Sequence, residues 1–192
     1  MSRDLIVIGA SWGGLDALRR LLASVPDELD VPIAIAQHRA AGSPERGLES
    51  VLQRAISRPV RDVADKDPIE RSHVFVAPPD YHLLVERGSF ALSTDARVRY
   101  ARPSIDVLFE SAADAYGEGV IGVVLTGSND DGAAGLRLIV ARGGVAIVQD
   151  PDTAERRELP DAALAAVPQA AVLGLDEIGP YLATVCFAGS TA

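Results

Sequence analysis

The sequence predicts an α/β fold, doubly wound, with a mostly parallel sheet, helices on both faces and a β-hairpin insertion. Three observations carry that expectation. Short apolar runs alternate with stretches of helical periodicity; the runs are apolar on both faces, as strands buried beneath two helical layers must be; and in mid-chain two strand-like segments flank a polar turn.

Leu5 to Ile8 is the first run, and it ends in Gly9-Ala10-Ser11-Trp12-Gly13-Gly14, a glycine-bracketed turn. A helical pattern follows whose apolar face is Leu15, Leu18, Leu22 and Val25. Ile33 to Ala36 is the second run and Val74 to Val76 the third. Tyr81 to Glu86 and Ser89 to Ser93, joined by Arg87-Gly88, read as the hairpin. Ile105, Leu108, Ala112 and Ala115 mark a second helical face behind Pro103-Ser104, residue types that open helices. Val120 to Leu125 and Val145 to Val148 are the remaining strands, with Leu136, Ile139 and Val140 on a helix between them. No repeat, low-complexity tract or linker intervenes, and 188–192 read as a small polar tail. One domain over residues 1–192 is expected.

With 192 residues, 48% of them hydrophobic, the chain can bury one substantial core. Its 27 acidic residues against 18 Lys+Arg give a formal net charge of -9, which argues against a nucleic acid or an anionic membrane surface as partner. Cys186 has no second cysteine to pair with and leaves no metal-ligand spacing, so no metal or other cofactor is expected. The first apolar run is too short for a signal-peptide core or a membrane span. A cytoplasmic protein without direct membrane insertion is the expectation.

Gly9-Ala10-Ser11-Trp12-Gly13 satisfies G-x-S-x-G, in which a strand-to-helix turn projects a serine hydroxyl beside free helix-start N–H groups. The competing reading is a dinucleotide-binding turn. That fingerprint wants a glycine where Ser11 stands, and an acidic residue closing the second strand, which instead ends Ala36-Gln37-His38. His38 lies just past a strand's carboxyl end, where ligands gather in open α/β sheets. A third turn, Leu125-Thr126-Gly127-Ser128-Asn129-Asp130-Asp131-Gly132, carries aspartates that read either as helix caps or as a carboxylate for His38. Three such turns on one sheet edge can assemble a nucleophile, a base and an orienting carboxylate.

In order and spacing, IGASWGG, AQHRA, VAPPDYHLLV, RPSIDVLF and VLTGSNDDGAAG resemble the catalytic domain of the CheB-type chemotaxis protein-glutamate methylesterases, over nearly the whole chain. The resemblance implies Ser11 as nucleophile, His38 as general base and Asp131 as the orienting carboxylate. It implies an esterase that releases methanol from glutamate γ-methyl esters on the cytoplasmic domain of a chemoreceptor, with other chemosensory proteins as further candidate partners. Ester and glutamine-amide hydrolysis are not separated by the sequence. Backbone N–H groups at Trp12 and Ser128 are the oxyanion candidates, and Arg102, in the R-P-S-I-D motif, is a candidate for shaping the cleft. The alternative from another class is a catalytically silent binding module of the same fold.

The chain departs from the family pattern at several places. Trp12 stands where a small residue, often Thr, follows the nucleophile, and Ser128 replaces the usual Met. Thr153 to Pro160 is a charged loop where an apolar residue and a Met-Pro pair are the norm. The first strand begins within a few residues of Met1, so a preceding receiver domain, and regulation through its phosphorylation, are not expected in this chain.

Overall fold

The computed structural model describes residues 3–38 and 47–187. Arg39 and Ala40 of the AQHRA motif and the tail at 188–192 lie outside the described residues. Nine strands and six α-helices run along the described chain. They are β1 (Leu5–Ala10), α1 (Gly14–Ser24), β2 (Ile33–Gln37), α2 (Leu48–Gln53), β3 (Val60–Asp62), β4 (Val74–Val76), β5 (His82–Glu86) and β6 (Ser89–Ser93). After the hairpin come α3 (Ile105–Tyr116), β7 (Val120–Val124), α4 (Ala133–Ala141), β8 (Val145–Gln149), α5 (Glu158–Ala166), β9 (Ala171–Leu173) and α6 (Leu175–Phe187).

Seven strands form one sheet in the order β3-β4-β2-β1-β7-β8-β9, every pair parallel. Buried β1 lies at its centre. Because β2 and β7 flank β1 on opposite sides, the topology reverses there, and a crevice opens above the carboxyl ends of these three strands. Alternate residues feed two cores. Ile6, Ile8, Ile33, Ile35, Ile121 and Val123 pack with Leu18, Leu21 and Leu182 beneath α1 and α6. Leu5, Val7, Ala34, Ala36 and Val124 pack with Leu108, Phe109, Leu136 and Leu159 beneath α3, α4 and α5.

The hairpin pairs β5 with β6 through the Arg87-Gly88 turn, Gly88 taking φ 85, and seats Leu83, Val85 and Phe90 in the second core. One close approach fixes the position of α3. A methyl group on Gly9 would lie 2.2 Å from Ile105 Cγ2, so glycine in β1 lets the start of α3 press onto the sheet beside the crevice.

Three sequence expectations need correction. Leu15 does not lie on the buried face of α1; it is 45% exposed, because in the first turn its side chain faces an open groove beside Ser11. The buried face of α1 is Ala17, Leu18, Leu21 and Leu22. The stretch 153–160 is not wholly loop, since α5 already begins at Glu158. The sheet also has two strands beyond the five apolar runs, β3 and β9, whose three residues each are too few and too exposed to show a period.

Candidate active site

Three turns at the carboxyl edge bring Ser11, His38 and Asp131 together. Ser11 follows β1, its N–H donating to the Thr126 carbonyl at 3.0 Å while its own carbonyl accepts from Gly14 N–H at 2.9 Å. Gly13, at φ 77, supplies the left-handed residue that this abrupt turn needs. His38 follows β2 and donates its N–H to the Ala10 carbonyl at 3.0 Å. Gln37 ties the two turns, its Nε2 donating to the carbonyls of Ser11 at 2.7 Å and His38 at 2.9 Å.

The imidazole of His38 bridges the other two side chains. Its Nδ1 lies 3.2 Å from Ser11 Oγ, and its Nε2 lies 2.7 Å from Asp131 Oδ2. An ionised Asp131 can only accept, so Nε2 carries the hydrogen and Nδ1 turns its lone pair toward the serine. Asn129 Nδ2, a donor 3.3 Å from Nδ1, agrees with that tautomer.

Asp131 is fully buried, and four donors converge on it. Oδ1 accepts from Ser104 Oγ at 2.9 Å and Asp106 N–H at 3.0 Å; Oδ2 accepts from Ile105 N–H at 2.8 Å and from His38. Three of the four belong to the start of α3, where unpaired N–H groups and the helix dipole favour an anion. Burial pushes this carboxyl up, but the bonds from His38 and from the Asp106 and Ile105 N–H groups outweigh it and hold it below the usual carboxylate range. Ser104 is itself the N-cap of α3, accepting from Val107 N–H, and its own N–H donates to Nδ1 of buried His82 at 3.2 Å. His82 Nε2 in turn donates to the Ala96 carbonyl at 3.1 Å.

Asp130 points elsewhere. It is exposed and ion-paired with Arg99. The helix-cap reading of this aspartate side chain does not hold: Gly132 is the N-cap of α4, and Asp130 offers only its carbonyl, to Ala133 N–H at 3.2 Å.

Residues 6–182 match the CheB methylesterase family. The chain belongs to that family. A relative from Leptospira interrogans is 42% identical over 179 residues, 93% of this chain and 92% of its own length. The protein-glutamate methylesterase/protein-glutamine glutaminase 2 of Caulobacter vibrioides is 39% identical over 186 residues, 94% of this chain and 53% of its own. This chain therefore spans nearly all of the first relative and about half of the second. The crystal structure of the Thermotoga maritima CheB methylesterase catalytic domain superposes with a TM-score of 0.89 at 27% identity, covering 96% of this chain and all of that one.

Against this CheB-family frame the remaining sequence candidates separate. The N–H groups of Trp12 and Ser128 have no hydrogen-bond partner among the described residues. The Trp12 ring is 58% exposed and held from the loop before α5: its Nε1 donates to Glu155 Oε1 at 2.9 Å, and the Arg156 guanidinium sits 5.5 Å from the ring centroid. An open groove of about 650 Å³ runs from Ser11 past Trp12, Leu15, Gln37 and Glu155. Arg102 is not part of this assembly; its Nη1 donates to the carbonyls of Thr94 and Asp95, tying the segment after the hairpin to the start of α3. Gln37, His82, Ser104, Asp106 and Asn129 surround the three side chains although the sequence reading gave none of them a part in the site. The quoted motifs contain all five, but their types alone read as strand, cap and turn residues.

Among the described residues, no group of three or more His, Cys, Asp or Glu side chains is arranged to hold a metal ion, and no helix is long and apolar enough to cross a membrane.

Proposed function

We propose that the chain is a serine esterase that hydrolyses glutamate γ-methyl esters on the cytoplasmic domain of chemoreceptor-type proteins, with Ser11 as nucleophile, His38 as general base through Nδ1, and Asp131 as orienting carboxylate. The observation that supports it most is the unbroken contact from Ser11 Oγ through the imidazole to a buried, ionised Asp131 at 3.2 and 2.7 Å.

In the first half-reaction Ser11 Oγ attacks the ester carbonyl as Nδ1 takes its proton, and Asp131 stabilises the imidazolium through Nε2–H. The N–H groups of Trp12 and Ser128 receive the tetrahedral oxyanion, a contribution that in comparable sites is worth roughly a hundredfold in rate. Nδ1 then returns the proton to the departing methoxide, which leaves as methanol. Water attacks the acyl-enzyme as Nδ1 takes one of its protons, the acyl–Oγ bond breaks, and Nδ1 passes that proton to Ser11 Oγ, leaving glutamate and free Ser11. A glutamine side chain reaches the same acyl-enzyme with ammonia leaving. The names of relatives such as the Caulobacter vibrioides protein pair these two activities.

A fluorophosphonate tests the reading against a silent binding module. Stoichiometric labelling of wild type at Ser11 is expected; no labelling of folded protein rejects the esterase. Trp12 is the residue on which substrate preference is expected to turn, because it stands beside the nucleophile and walls the groove. Trp12→Thr should fold normally and shift the kcat/KM ratio between methyl and bulkier alkyl esters of a glutamyl peptide by roughly tenfold, the scale on which apolar pocket contacts discriminate. An unchanged ratio leaves the indole without a part in selection.

A further inference from the structure

Asp106 is a buried carboxylate that the mechanism above does not use. It is 5% exposed, and its Oδ1 accepts from Gly132 N–H at 2.9 Å and Gly135 N–H at 2.7 Å, both at the start of α4. Asp131, which precedes α4, accepts from the start of α3 in return, including the N–H of Asp106 itself at 3.0 Å. Each carboxylate thus stabilises the N-terminus of the helix that carries or follows the other, an exchange that locks the two helix starts together. Contact is close on both sides of the exchange. A methyl group on Gly132 would lie 2.6 Å from Ile105 Cγ2, and one on Gly135 would lie 2.5 Å from Phe109 Cβ.

We propose that Asp106 is a positioning residue for the esterase: by holding Gly132 N–H, the group that immediately follows Asp131, it fixes the direction from which Asp131 meets His38. The inference rests on the esterase reading. Gly132 N–H is the donor of the Asp131–Gly132 peptide, and Asp106 Oδ1 accepts it together with Gly135 N–H one turn further into α4. Its other oxygen faces Arg99 Nε at 3.7 Å, a loose contact that Arg99 divides with Asp130. Burial, with the Asp131 charge adding to it and the Gly135 and Gly132 bonds opposing, raises the Asp106 carboxyl to about 6. What offsets the burial of this carboxylate is the pair of glycine N–H groups it holds, one hydrogen bond from the orienting aspartate.

The test uses fluorophosphonate labelling rates and the low-field proton resonance of His38 Nε2–H, neither of which needs the natural substrate. Asp106→Ala, with both glycine N–H groups unanswered, is expected to label roughly tenfold or more slowly, since small misplacements of reacting groups carry penalties of that size. Its Nε2–H resonance should shift or broaden. Asp106→Asn keeps an acceptor in the place of Oδ1 and should restore both the rate, to within about threefold, and the resonance. Should Asp106→Ala not fold, Asp106→Ser, whose shorter side chain cannot reach both N–H groups, takes its place. An Ala or Ser variant that labels at the wild-type rate with an unmoved resonance overturns the proposal, and so does an Asn variant as slow as Ala. Failure of wild type to label is a different outcome, and it rejects the esterase reading instead.

Discussion

Asp131→Asn is expected to lower turnover by roughly a thousandfold or more while leaving the fold in place. All four groups around the wild-type carboxylate are donors, three of them from the start of α3 and the fourth His38 Nε2–H. An amide brings two hydrogens into that ring of donors. With Nδ2 toward His38, it donates to Nε2, forces the hydrogen onto Nδ1 and removes the lone pair that faces Ser11. With Nδ2 toward Ser104 and Asp106, it sets N–H against N–H and still lacks the charge that stabilises the imidazolium. The unmet donors should also lower stability by about 1–3 kcal/mol. Asp130→Asn is the control. That side chain is exposed and, among the described residues, engaged only with Arg99, so turnover and melting temperature should barely move. Steady-state kinetics and thermal melts of both variants decide it; a large loss in Asp130→Asn with Asp131→Asn near wild type reverses the assignment.

Gly127→Ala is expected to be nearly as damaging, although residue 127 has no reactive group. A methyl group there would lie 2.8 Å from Ser11 Cβ and 2.7 Å from Leu159 Cδ2. Leu159 is fully buried and its Cβ, 3.1 Å from the added methyl, does not move with rotation, while Ser11 is held by the Thr126 carbonyl on one side and Gly14 N–H on the other. The nucleophile must therefore move relative to His38. Gly127 is also fixed by its own backbone, its carbonyl accepting from Leu159 N–H at 2.9 Å and its N–H donating to the Arg156 carbonyl at 3.1 Å. Turnover should fall by roughly a hundredfold, the cost of misplacing a reacting atom by about 1 Å. Overpacking should remove about 1–3 kcal/mol of stability. Labelling rate and melting temperature measure the two separately; wild-type values for both show that the turn has slack the geometry does not display.

These contacts explain which parts of the molecule were legible in the sequence. Ser11, His38 and Asp131 were legible as candidates because each lies in a turn that follows a strongly apolar strand, and parallel strands put their carboxyl ends on one edge whatever the helices do. The choice of Asp131 over Asp130 came from the resemblance to the family's turn; in the fold Asp131 is buried under the start of α3 beside His38 and Asp130 faces solvent. Ser104, Asp106 and His82 were not legible as site residues. Their part depends on α3 meeting α4 end to end, a tertiary approach that local periodicity does not encode. Leu15 was misplaced for a related reason, since amphipathic spacing identifies a stripe on a helix but not where the neighbouring layer stops. The Trp12 side chain was legible as a departure from the family's small residue; in the fold it is exposed, pinned by Glu155 and beside the nucleophile.

Methanol release from a methylated chemoreceptor cytoplasmic fragment, followed side by side for wild type and Ser11→Ala, tests the central claim most directly. Ser11→Ala removes one oxygen from a partly buried turn and leaves the backbone bonds to Thr126 and Gly14 intact, so the variant should fold as wild type does. Continuous release by wild type, with none above background from the variant, is the predicted result; equal release from both, or release from neither, contradicts it.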